Sequence, residues 1–472
     1  MNMESKKQPV SRRTFLKSLG LGTATVVAAA SVGSVPALGS EAQAAPQSGK
    51  RKKKDAKGGT ASHVKKIERK GDMTYRTNAS TGDLVSLLGF GMMRLPMTQS
   101  GVDQKKVDAM VDYAMAHGIN YFDTSPHYCR HQSEAATGRA LAKYPRESYF
   151  LATKMSTFLD RNGGSREAAE AGYEKSFTEC GVDYFDYYLI HGVGIGGMPI
   201  VRSRLMDIGM LDFLIGEKKK GRIRNLGFSF HGDMEVFNYM MKLHDDGKVR
   251  WDMVQIQMNY QDWHHAGGVK AETLYEECRK RGIQNIVMEP LLGGRLASIP
   301  DVHAKRLAKA RPGDTPAAWG FRFVGSHENI LTTLSGMTVL DHVKENVATF
   351  SPLVPCTDKE FEMLEDIAAA MVAYPLIGCT ACSYCMPCKF GVDIPGNFAA
   401  WNKAVNEGKV PPAGKGDPDY ESRRKAFAAA FKASVPASDL ATACRNCRAC
   451  LRNCPQRIQI PTHMQRIASL LG

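Results

Sequence analysis

At 472 residues the chain exceeds the usual length of one domain, so we expect at least two domains. The formal net charge of +14 would suit a nucleic-acid partner if it were spread over the chain, but it is concentrated at one end. Residues 1–44 carry +3 and residues 45–70 carry +8, which leaves +3 for the remaining 402 residues. Most of the chain is therefore nearly neutral, and this distribution argues against binding of nucleic acid.

The first 44 residues have the features of a bacterial export signal. Arg12 and Arg13 precede an apolar run rich in Ala and Gly, and residues 42–44 form a small-residue A-x-A cleavage site. These features predict export of the folded protein by the twin-arginine (Tat) route, with a mature chain in the periplasm or outside the cell. The apolar run holds too many small and polar residues for a permanent span, so we expect no transmembrane segment in the mature chain.

The segment 45–72 follows the predicted signal and is rich in Lys and Gly. It shows no hydrophobic periodicity, which predicts a basic disordered linker. A weak attachment to anionic lipid or to an acidic partner is the alternative role, and it would leave the exported protein membrane-associated.

Four polar residues stand at or just after the carboxyl ends of short apolar strands. Asp123 ends one such strand, and Tyr128 follows it after a Pro-containing loop. Lys154 and His191 each follow a later strand. Because the carboxyl ends of the strands of a parallel barrel meet at one mouth, we expect these four side chains to converge.

This set of side chains suits the reduction of a carbonyl group. A tyrosine hydroxyl has an ordinary pKa near ~10, and a nearby Lys154 ammonium would lower that pKa and make Tyr128 a better proton donor. Asp123 would hold the lysine, and His191 would hydrogen-bond the substrate oxygen. Tyr128 would then act as general acid while a nicotinamide supplies a hydride. Each residue taken alone also fits an ordinary role as helix cap, wall residue or surface charge, so the interpretation depends on all four meeting.

Strand and helix patterns alternate from residue 73 onwards, which predicts an α/β fold with a parallel sheet. A hairpin signal at residues 81–83 comes first. A helix is expected to begin at Asp103 as its cap and to end before Gly118. Eight strand–helix units fit the length of one barrel, and the predicted strands cover residues 87–92, 119–123, 149–153, 183–190, 223–229, 253–258, 285–288 and 330–334.

From residue 73 to about 350 the chain resembles the aldo-keto reductases. The motifs that carry the resemblance are Leu88-Gly89-Phe90-Gly91, Phe122-Asp123-Thr124 with Tyr128, Thr153-Lys154, Leu189-Ile190-His191 and Gly227-Phe228-Ser229. The resemblance implies a (β/α)8 TIM barrel over residues 73–355 and a bound NADP(H) or NAD(H). It also implies that the four residues above form a catalytic tetrad.

The same resemblance implies contacts with the nicotinamide cofactor. It places Ser229 and Gln255 at the carboxamide of the nicotinamide, Met288 against the face of that ring, and Leu291 and Gly293 at the pyrophosphate. Six further residues are assigned to the adenosine end, namely Gly336, Met337, Thr338, His342, Glu345 and Asn346.

Three positions depart from the family pattern. His342 stands where a basic residue often binds the 2′-phosphate, which leaves the choice between NADPH and NADH open. Met288 replaces an aromatic residue that often stacks on the nicotinamide. Cys129 follows Tyr128 where the family usually has Gly, and its neighbours make the loop unusually basic. The substrate class, and the reductase activity itself, therefore stay open.

Eight of the twelve cysteines lie in two short runs near the C-terminus. The first run, Cys379 to Cys388, has x2 spacing throughout, and the second, Cys444 to Cys454, ends with x3 spacing and Pro455. Thiolates so spaced hold three corners of a [4Fe–4S] cluster, and the fourth Cys of such a run often serves the other cluster. We therefore assign two clusters, one to Cys379, Cys382, Cys385 and Cys454, and one to Cys388, Cys444, Cys447 and Cys450.

Zinc sites and disulfides are the alternatives for these cysteines. Zinc sites usually separate two Cys pairs by a longer spacer, and thiols this dense are poorly suited to separate bridges. The first run lacks the usual x3 spacing before Cys388, so the cluster that this residue serves stays open.

Residues 356–472 resemble an α-helical ferredoxin-type domain of the kind that is fused behind aldo-keto reductase barrels, with helices expected at 397–407 and 423–433.

Two functions fit these observations. The first is an exported iron–sulfur oxidoreductase that interconverts a small-molecule carbonyl and an alcohol with NAD(P)H, while two clusters relay electrons to or from a redox partner protein. The second is an electron-transfer or partner-binding protein in which only the clusters work. The complete tetrad favours the first function. The second gains support from the altered loop at Cys129 and from export, because an exported enzyme does not meet fresh NADPH. The first function also has to divide the two electrons of a hydride between one-electron clusters, and nothing in the sequence suggests a flavin that would do so.

Overall fold

The computed structural model describes residues 64–65, 67–157, 164–412, 416–454, 456 and 458–472. The fold described below belongs to residues 58–472, the second of the two units into which the chain divides. The predicted export signal and most of the predicted linker lie outside the described residues, so both stay predictions.

The second unit contains a closed barrel of eight parallel strands. Each strand pairs with its neighbours in chain order, and the last strand closes the ring by pairing Thr333 with Leu88 of the first. This confirms the predicted eight-stranded α/β barrel. The strands, labelled β1 to β8, are Leu88–Gly91, Tyr121–Asp123, Phe150–Met155, Phe185–Val193, Ile223–Phe230, Met253–Gln257, Gln284–Met288 and Ile330–Ser335.

Two of the strands extend two or more residues beyond their predicted ends. β3 reaches Met155 and β4 reaches Val193, so Lys154 and His191 lie within strands instead of after them. β4 is longer because Val193 pairs with Phe230 of β5 after a register shift. Both side chains are therefore held on strands that are paired on each side, which positions them more rigidly than loops would.

Helices surround the barrel and alternate with its strands. The first begins where the sequence predicted, because Asp103 caps it by accepting a hydrogen bond from the Lys106 amide (3.3 Å). The helices of this part are Gln104–Ala116, Ser133–Leu141, Arg166–Cys180, Met198–Val201, Met210–Lys219, Met234–Asp245, Asp262–His265, Ala271–Lys280, Asp301–Ala310, Pro316–Gly325, Leu340–Thr349 and Asp358–Ala373.

The amino-terminal end of the barrel is closed by a hairpin of strands Tyr75–Thr77 and Leu84–Ser86. Val85 packs among the interior side chains of the barrel, and the amide of Asn78 donates to the Tyr187 hydroxyl (2.8 Å). The hairpin thus buries the apolar interior at the end that lies away from the predicted site.

The last residues of the segment 45–72 also pack on this floor, which corrects the prediction that the whole segment is disordered. Lys65 is buried, and its Nζ lies 2.7 Å from Asp186 Oδ1. Ile67 packs against the barrel interior. The prediction of disorder was based on the high lysine content of the segment. It could not show that one of these lysines is the buried ion-pair partner of a distant aspartate.

The C-terminal part has a smaller hydrophobic core of its own. The helix Asp358–Ala373 follows the predicted domain boundary at residue 356, yet its Leu364 and Ile367 pack in the barrel core. The second core begins at Ile377. It is built mainly from three helices, Ile394–Asn406, Tyr420–Ser434 and Ile460–Leu471.

One helix of the barrel contacts this second core. The helix Asp301–Ala310, which follows the loop after β7, lies against the helix Ile394–Asn406, and the side chain of Val302 approaches Gly408. Among the described residues no helix has the length and apolar character needed to cross a membrane.

Asp186 holds the barrel floor together. It is fully buried and lies near three cations, Lys65 (2.7 Å), Arg146 (2.8 Å) and Arg224 (2.9 Å). Asp186→Ala would leave these buried charges poorly compensated, so we expect the free energy of unfolding, measured with urea, to fall by about 3–5 kcal/mol. Asp341→Ala, which removes an exposed carboxylate, should cost less than about 0.5 kcal/mol. Equal losses in the two variants would contradict the role of Asp186.

Glu360 anchors the helix Asp358–Ala373 and should make its stability pH-dependent. Hydrogen bonds from Arg311 and from the Thr357 backbone lower the pKa of Glu360 from 4.5 to about 2. Because the folded-state pKa is the lower one, this stabilisation is complete above pH 4.5 and is lost as the pH falls toward 2. Glu360→Gln should lower the free energy of unfolding by roughly 1–3 kcal/mol at pH 6 and by about half as much at pH 3. A loss that does not change with pH would contradict this assignment.

Candidate active site and iron–sulfur centres

Lys154 and Asp123 form an ion pair at the carboxyl-end mouth of the barrel. Asp123 pairs with Ala152 across β2 and β3, and Lys154 stands two residues later, which puts all three side chains on one face. Lys154 Nζ donates to Asp123 Oδ1 (2.5 Å) and to the Thr124 carbonyl oxygen (2.9 Å). Burial by itself would lower the pKa of Lys154, but Asp123 and Tyr128 raise that pKa above its ordinary value, so the amine stays protonated.

Tyr128 lies beside this ammonium. Lys154 Nζ is 4.9 Å from the centre of the Tyr128 ring. Burial raises the pKa of the Tyr128 phenol, and the Lys154 ammonium opposes the rise. The net direction is upward, which corrects the expectation of a lowered pKa. Burial outweighs the lysine because Asp123 already balances much of the lysine charge, and the phenol is therefore protonated at neutral pH.

Two serine hydroxyls orient His191. Ser156 Oγ and Ser125 Oγ lie 2.8 and 3.1 Å from His191 Nδ1, which leaves Nε2 on the other side of the ring for a substrate. Burial lowers the pKa of His191 well below its ordinary value, so the imidazole is neutral. The imidazole meets the Tyr128 ring edge to face, with ring centres 5.9 Å apart.

The sequence-based prediction missed both serines, although a signal was present. Ser125 and Ser156 each stand two residues after a member of the tetrad, Asp123 and Lys154. Alternate residues of an extended segment point to the same side, so positions i+2 from the tetrad were candidates for the same site.

The loop after Tyr128 has an uncommon backbone. Cys129, Arg130 and His131 all have left-handed φ angles, 49°, 56° and 66°, a conformation that costs non-glycine residues roughly 1–2 kcal/mol each. Cys129 Sγ donates to the Met93 carbonyl oxygen (3.3 Å) and ties the loop to the barrel mouth. Position 129, where the family usually has Gly, therefore has a backbone conformation that a glycine would adopt with less strain than Cys129.

Ser229 and Gln255 lie side by side on β5 and β6 at the same mouth. Ser229 Oγ accepts a hydrogen bond from the Gly192 amide (2.8 Å). Gln255 Oε1 is buried and has no hydrogen-bond partner among the described residues. A hydroxyl beside an unpaired carbonyl oxygen matches the C=O and N–H groups of a carboxamide, so these two residues fit the nicotinamide group assigned to them.

The end of β7 and the loop after it hold the next three positions assigned to the cofactor. Met288 ends β7 half-buried at the mouth, and Leu291 packs on Gly320 in the helix Pro316–Gly325. Gly293 has a left-handed φ of 69°, as glycine adopts without strain where a backbone passes close to a ligand. The loop also brings Glu289, which the sequence-based prediction missed. Its carboxylate raises the pKa of the Tyr128 phenol, with a smaller effect than burial, Lys154 and Asp123.

The positions assigned to the adenosine end divide into two groups. The side chains of Met337 and Asn346 turn inward, and the Asn346 amide donates to Ser335 Oγ (2.9 Å). The structure does not bring these two side chains to a nucleotide. The remaining positions lie at least partly exposed around the start of the helix Leu340–Thr349, and these are Gly336, Thr338, His342 and Glu345.

The cysteines of the two runs line two neighbouring cavities. The first thiol set lines one cavity and consists of Cys379, Cys382, Cys385 and Cys454. The second thiol set lines the other and consists of Cys388, Cys444, Cys447 and Cys450, with Cys385 at its edge. Each set takes three thiols from one run and one from the other, which is the crossed grouping that the spacing predicted. All twelve cysteines lie in the part of the chain that the structure describes, and none of them forms a disulfide.

Both runs fold around their cavities with the same backbone pattern. Ala381 and Ser383 have left-handed φ angles in the first run, as do Asn446 and Arg448 in the second. In each run these are the second and fourth residues after the first Cys. Such angles are uncommon outside glycine, so their repetition gives the two loops one shape. The Ala381 amide also points at Cys379 Sγ (3.4 Å), and soft thiolates with amide contacts suit iron–sulfur clusters.

A parallel barrel with a protonated lysine, a phenol and a carboxamide-binding pair at one mouth is typical of an oxidoreductase that uses a nicotinamide cofactor. The model of the aldo/keto reductase family matches residues 87–369, and the chain belongs to this family of NAD(P)-dependent oxidoreductases. A 4Fe-4S dicluster domain matches residues 378–459, behind the barrel.

Individual relatives agree with this family. The chain is 27% identical over 296 residues to L-galactose dehydrogenase of Arabidopsis thaliana, covering 59% of this chain and 88% of that protein. It is 24% identical over 294 residues to NADH-specific methylglyoxal reductase of Escherichia coli, covering 54% and 85%. An aldo-keto reductase structure from Bacillus halodurans superposes with a TM-score of 0.51 at 22% identity, over 62% of this chain and 96% of that one, which shows the shared fold.

Cys454→Ala tests whether Cys454 is a ligand of a cluster. Cys454 is the one member of the first thiol set that comes from the second run, so its loss should lower the iron and sulfide content by about half, as expected for the loss of one of two clusters. The measurement is iron and sulfide analysis of anaerobically purified protein. Cys356→Ala, which changes a thiol of neither set, should leave both contents unchanged. Full iron content in Cys454→Ala would show that the grouping is wrong.

Proposed function

We propose that the barrel interconverts a small-molecule carbonyl and the corresponding alcohol with NAD(P)H, and that the two thiol sets hold [4Fe–4S] clusters that relay electrons. The observation that supports the first part most directly is the buried ion pair of Lys154 and Asp123 beside the Tyr128 phenol. A protonated phenol next to a fixed ammonium is equipped to donate a proton and to remain as a stabilised phenolate.

Ser229 and Gln255 would hold the carboxamide of a bound nicotinamide, which in the direction of reduction would supply the hydride for the carbonyl carbon. Tyr128 gives its hydroxyl proton to the carbonyl oxygen, and the Lys154 ammonium stabilises the phenolate that forms. The raised pKa of Tyr128 keeps the proton in place until the oxygen becomes basic.

His191 orients the substrate in this mechanism. In this mechanism one of the two hydroxyls, that of Ser125 or Ser156, donates to the lone pair of Nδ1, and the neutral imidazole carries its single proton on Nε2. Nε2 can then donate to the same carbonyl oxygen that Tyr128 protonates, and this fixes the orientation of the carbonyl at the hydride source.

Two relatives of the chain support the reaction class. One is a dehydrogenase of a sugar and the other a reductase of a small dicarbonyl compound, so both act on an alcohol or carbonyl group. A small hydroxylated or carbonyl-bearing molecule is accordingly the substrate class that we propose for this chain.

The two clusters would relay electrons one at a time, because each [4Fe–4S] cluster takes one electron. A hydride carries two electrons, so exchange between the nicotinamide and the clusters requires a group that divides the pair, such as a flavin. The Tat-type signal at residues 1–44 supports export to the periplasm or beyond, because this route carries folded proteins whose clusters are already inserted.

Titration with each reduced nucleotide tests the two parts together. Anaerobic protein is mixed with NADH or with NADPH, and the iron–sulfur absorbance and the consumption of nucleotide with added aldehydes are followed. Nucleotide consumption that depends on a carbonyl supports the enzyme. Clusters that dithionite reduces, without any binding of nucleotide, would instead leave the barrel as a scaffold.

Tyr128→Phe should lower the turnover number of carbonyl reduction by roughly 10²–10⁴-fold, because general acid catalysis is removed. The affinity for nucleotide should stay nearly unchanged, because Tyr128 is not part of the carboxamide-binding pair. Steady-state assays and nucleotide titration measure both quantities. Tyr239→Phe, in a helix outside the barrel, serves as the control, and equal turnover in the two variants would exclude Tyr128 as the acid.

A further inference from the structure

Three exposed cations surround the cavity of the second thiol set, and we call them the basic face. They are Lys389, Arg445 and Arg448, and all three line this cavity. Lys389 directly follows the first cysteine run, whereas the two arginines stand between cysteines of the second. The basic face is therefore built by the same loops that present the thiols.

Acidic residues are few in the segments that form this surface, and the nearest along the chain are Asp393 and Asp439, which bound them. Residues 376–392 and 440–459 contain five Lys or Arg and no Asp or Glu, where the average frequency of the chain would give about four acids. The chain outside its N-terminal segment is otherwise nearly balanced in charge. The positive charge here is consequently local, and it is centred on the cysteines.

Exposed aromatic residues accompany the cations. Phe390 lines the same cavity and is 37% exposed, and Lys389 Nζ lies 5.1 Å from the centre of its ring. Tyr384, within the first cysteine run, is 67% exposed. Aromatic residues and arginines are the residue types enriched at protein–protein interfaces, so this composition favours a protein partner.

A cluster held by the second thiol set would lie directly beneath the basic face. Cys447 is exposed, and Arg445 and Arg448 flank it in the chain. A protein that docks on these arginines would therefore bring its own redox group as near to the cluster as the fold allows.

We propose that the basic face is the docking site of a small acidic protein that carries one electron. The face can serve this role only if the proposed function is correct in giving the second thiol set a cluster. Charge complementarity would steer such a carrier to the cluster and speed their association. An anionic membrane fits less well, because membrane-binding surfaces combine cations with a continuous apolar helix face, and these cations lie on short loops.

Each docking event transfers one electron and makes or breaks no bond. The reduced carrier is oxidised by one electron, and one cluster is reduced by one electron. Two successive events, one for each cluster, store two electrons in the clusters. In the reverse direction each reduced cluster gives one electron to an oxidised carrier, which is thereby reduced by one electron.

The charge reversal Arg445→Glu/Arg448→Glu tests the docking site in the full-length protein with its clusters. Reduced flavodoxin, a small acidic carrier, is mixed anaerobically with the protein, and cluster reduction is followed by stopped-flow absorbance. We expect the second-order rate constant at low salt to fall about tenfold or more. For the unchanged protein, the same rate constant should fall steeply with added salt. Lys389→Glu, which changes no residue between cysteines, should give a smaller loss in the same direction.

The matched control is Lys425→Glu/Lys432→Glu, which makes the same change in charge on the helix Tyr420–Ser434. We expect its rate constant to stay within about twofold of the unchanged protein, since steering depends on charge near the contact. Reduction by dithionite, which needs no docking, should be equal in all variants and shows that the clusters are intact.

Equal rate constants for the two double variants would overturn the docking site. Binding to phosphatidylglycerol vesicles that Arg445→Glu/Arg448→Glu abolishes, with an unchanged flavodoxin rate, would overturn it in favour of a membrane surface. A protein that contains no iron and that dithionite does not bleach would overturn the clusters themselves, and with them both the proposed relay and its docking site.

Discussion

The ion pair between Lys154 and Asp123 is the interaction on which the mouth of the barrel depends. Two charges withdrawn from water cost several kcal/mol each unless they meet, and the closed sheet makes them meet by setting β2 beside β3. The pair keeps the lysine protonated in a buried place. That charge limits the rise in the pKa of Tyr128, and the phenol and the neutral imidazole of His191 are arranged around it.

One contact between the barrel and the cysteine-rich part is made by the helix that follows β7 and its loop, Asp301–Ala310. That helix contacts the first helix of the second core, Ile394–Asn406. The dicluster domain therefore packs against a helix of the barrel and is not connected to it by the chain alone.

The sequence predicted the parts of this structure that local patterns determine. Alternating strands and helices indicated the barrel, and Cys spacing indicated the crossed thiol sets. What it could not predict depends on balances and on distant partners. Burial raises the pKa of Tyr128, and the Lys154 ammonium, whose charge Asp123 partly balances, opposes that rise. Lys65 is buried as the ion-pair partner of Asp186, which lies far along the chain. Neither relation leaves a periodicity or a spacing in the sequence.

The most direct test of the central claim concerns the buried ammonium. Asp123→Asn/Lys154→Met removes both charges together, so no unpaired charge remains in the wall to unfold the barrel. The measurement is the turnover number for carbonyl-dependent oxidation of reduced nucleotide at saturating substrate. We expect it to fall by at least about 100-fold, with iron content and nucleotide affinity unchanged. A turnover number within about twofold of the unchanged protein would contradict the role of Lys154 in activating Tyr128.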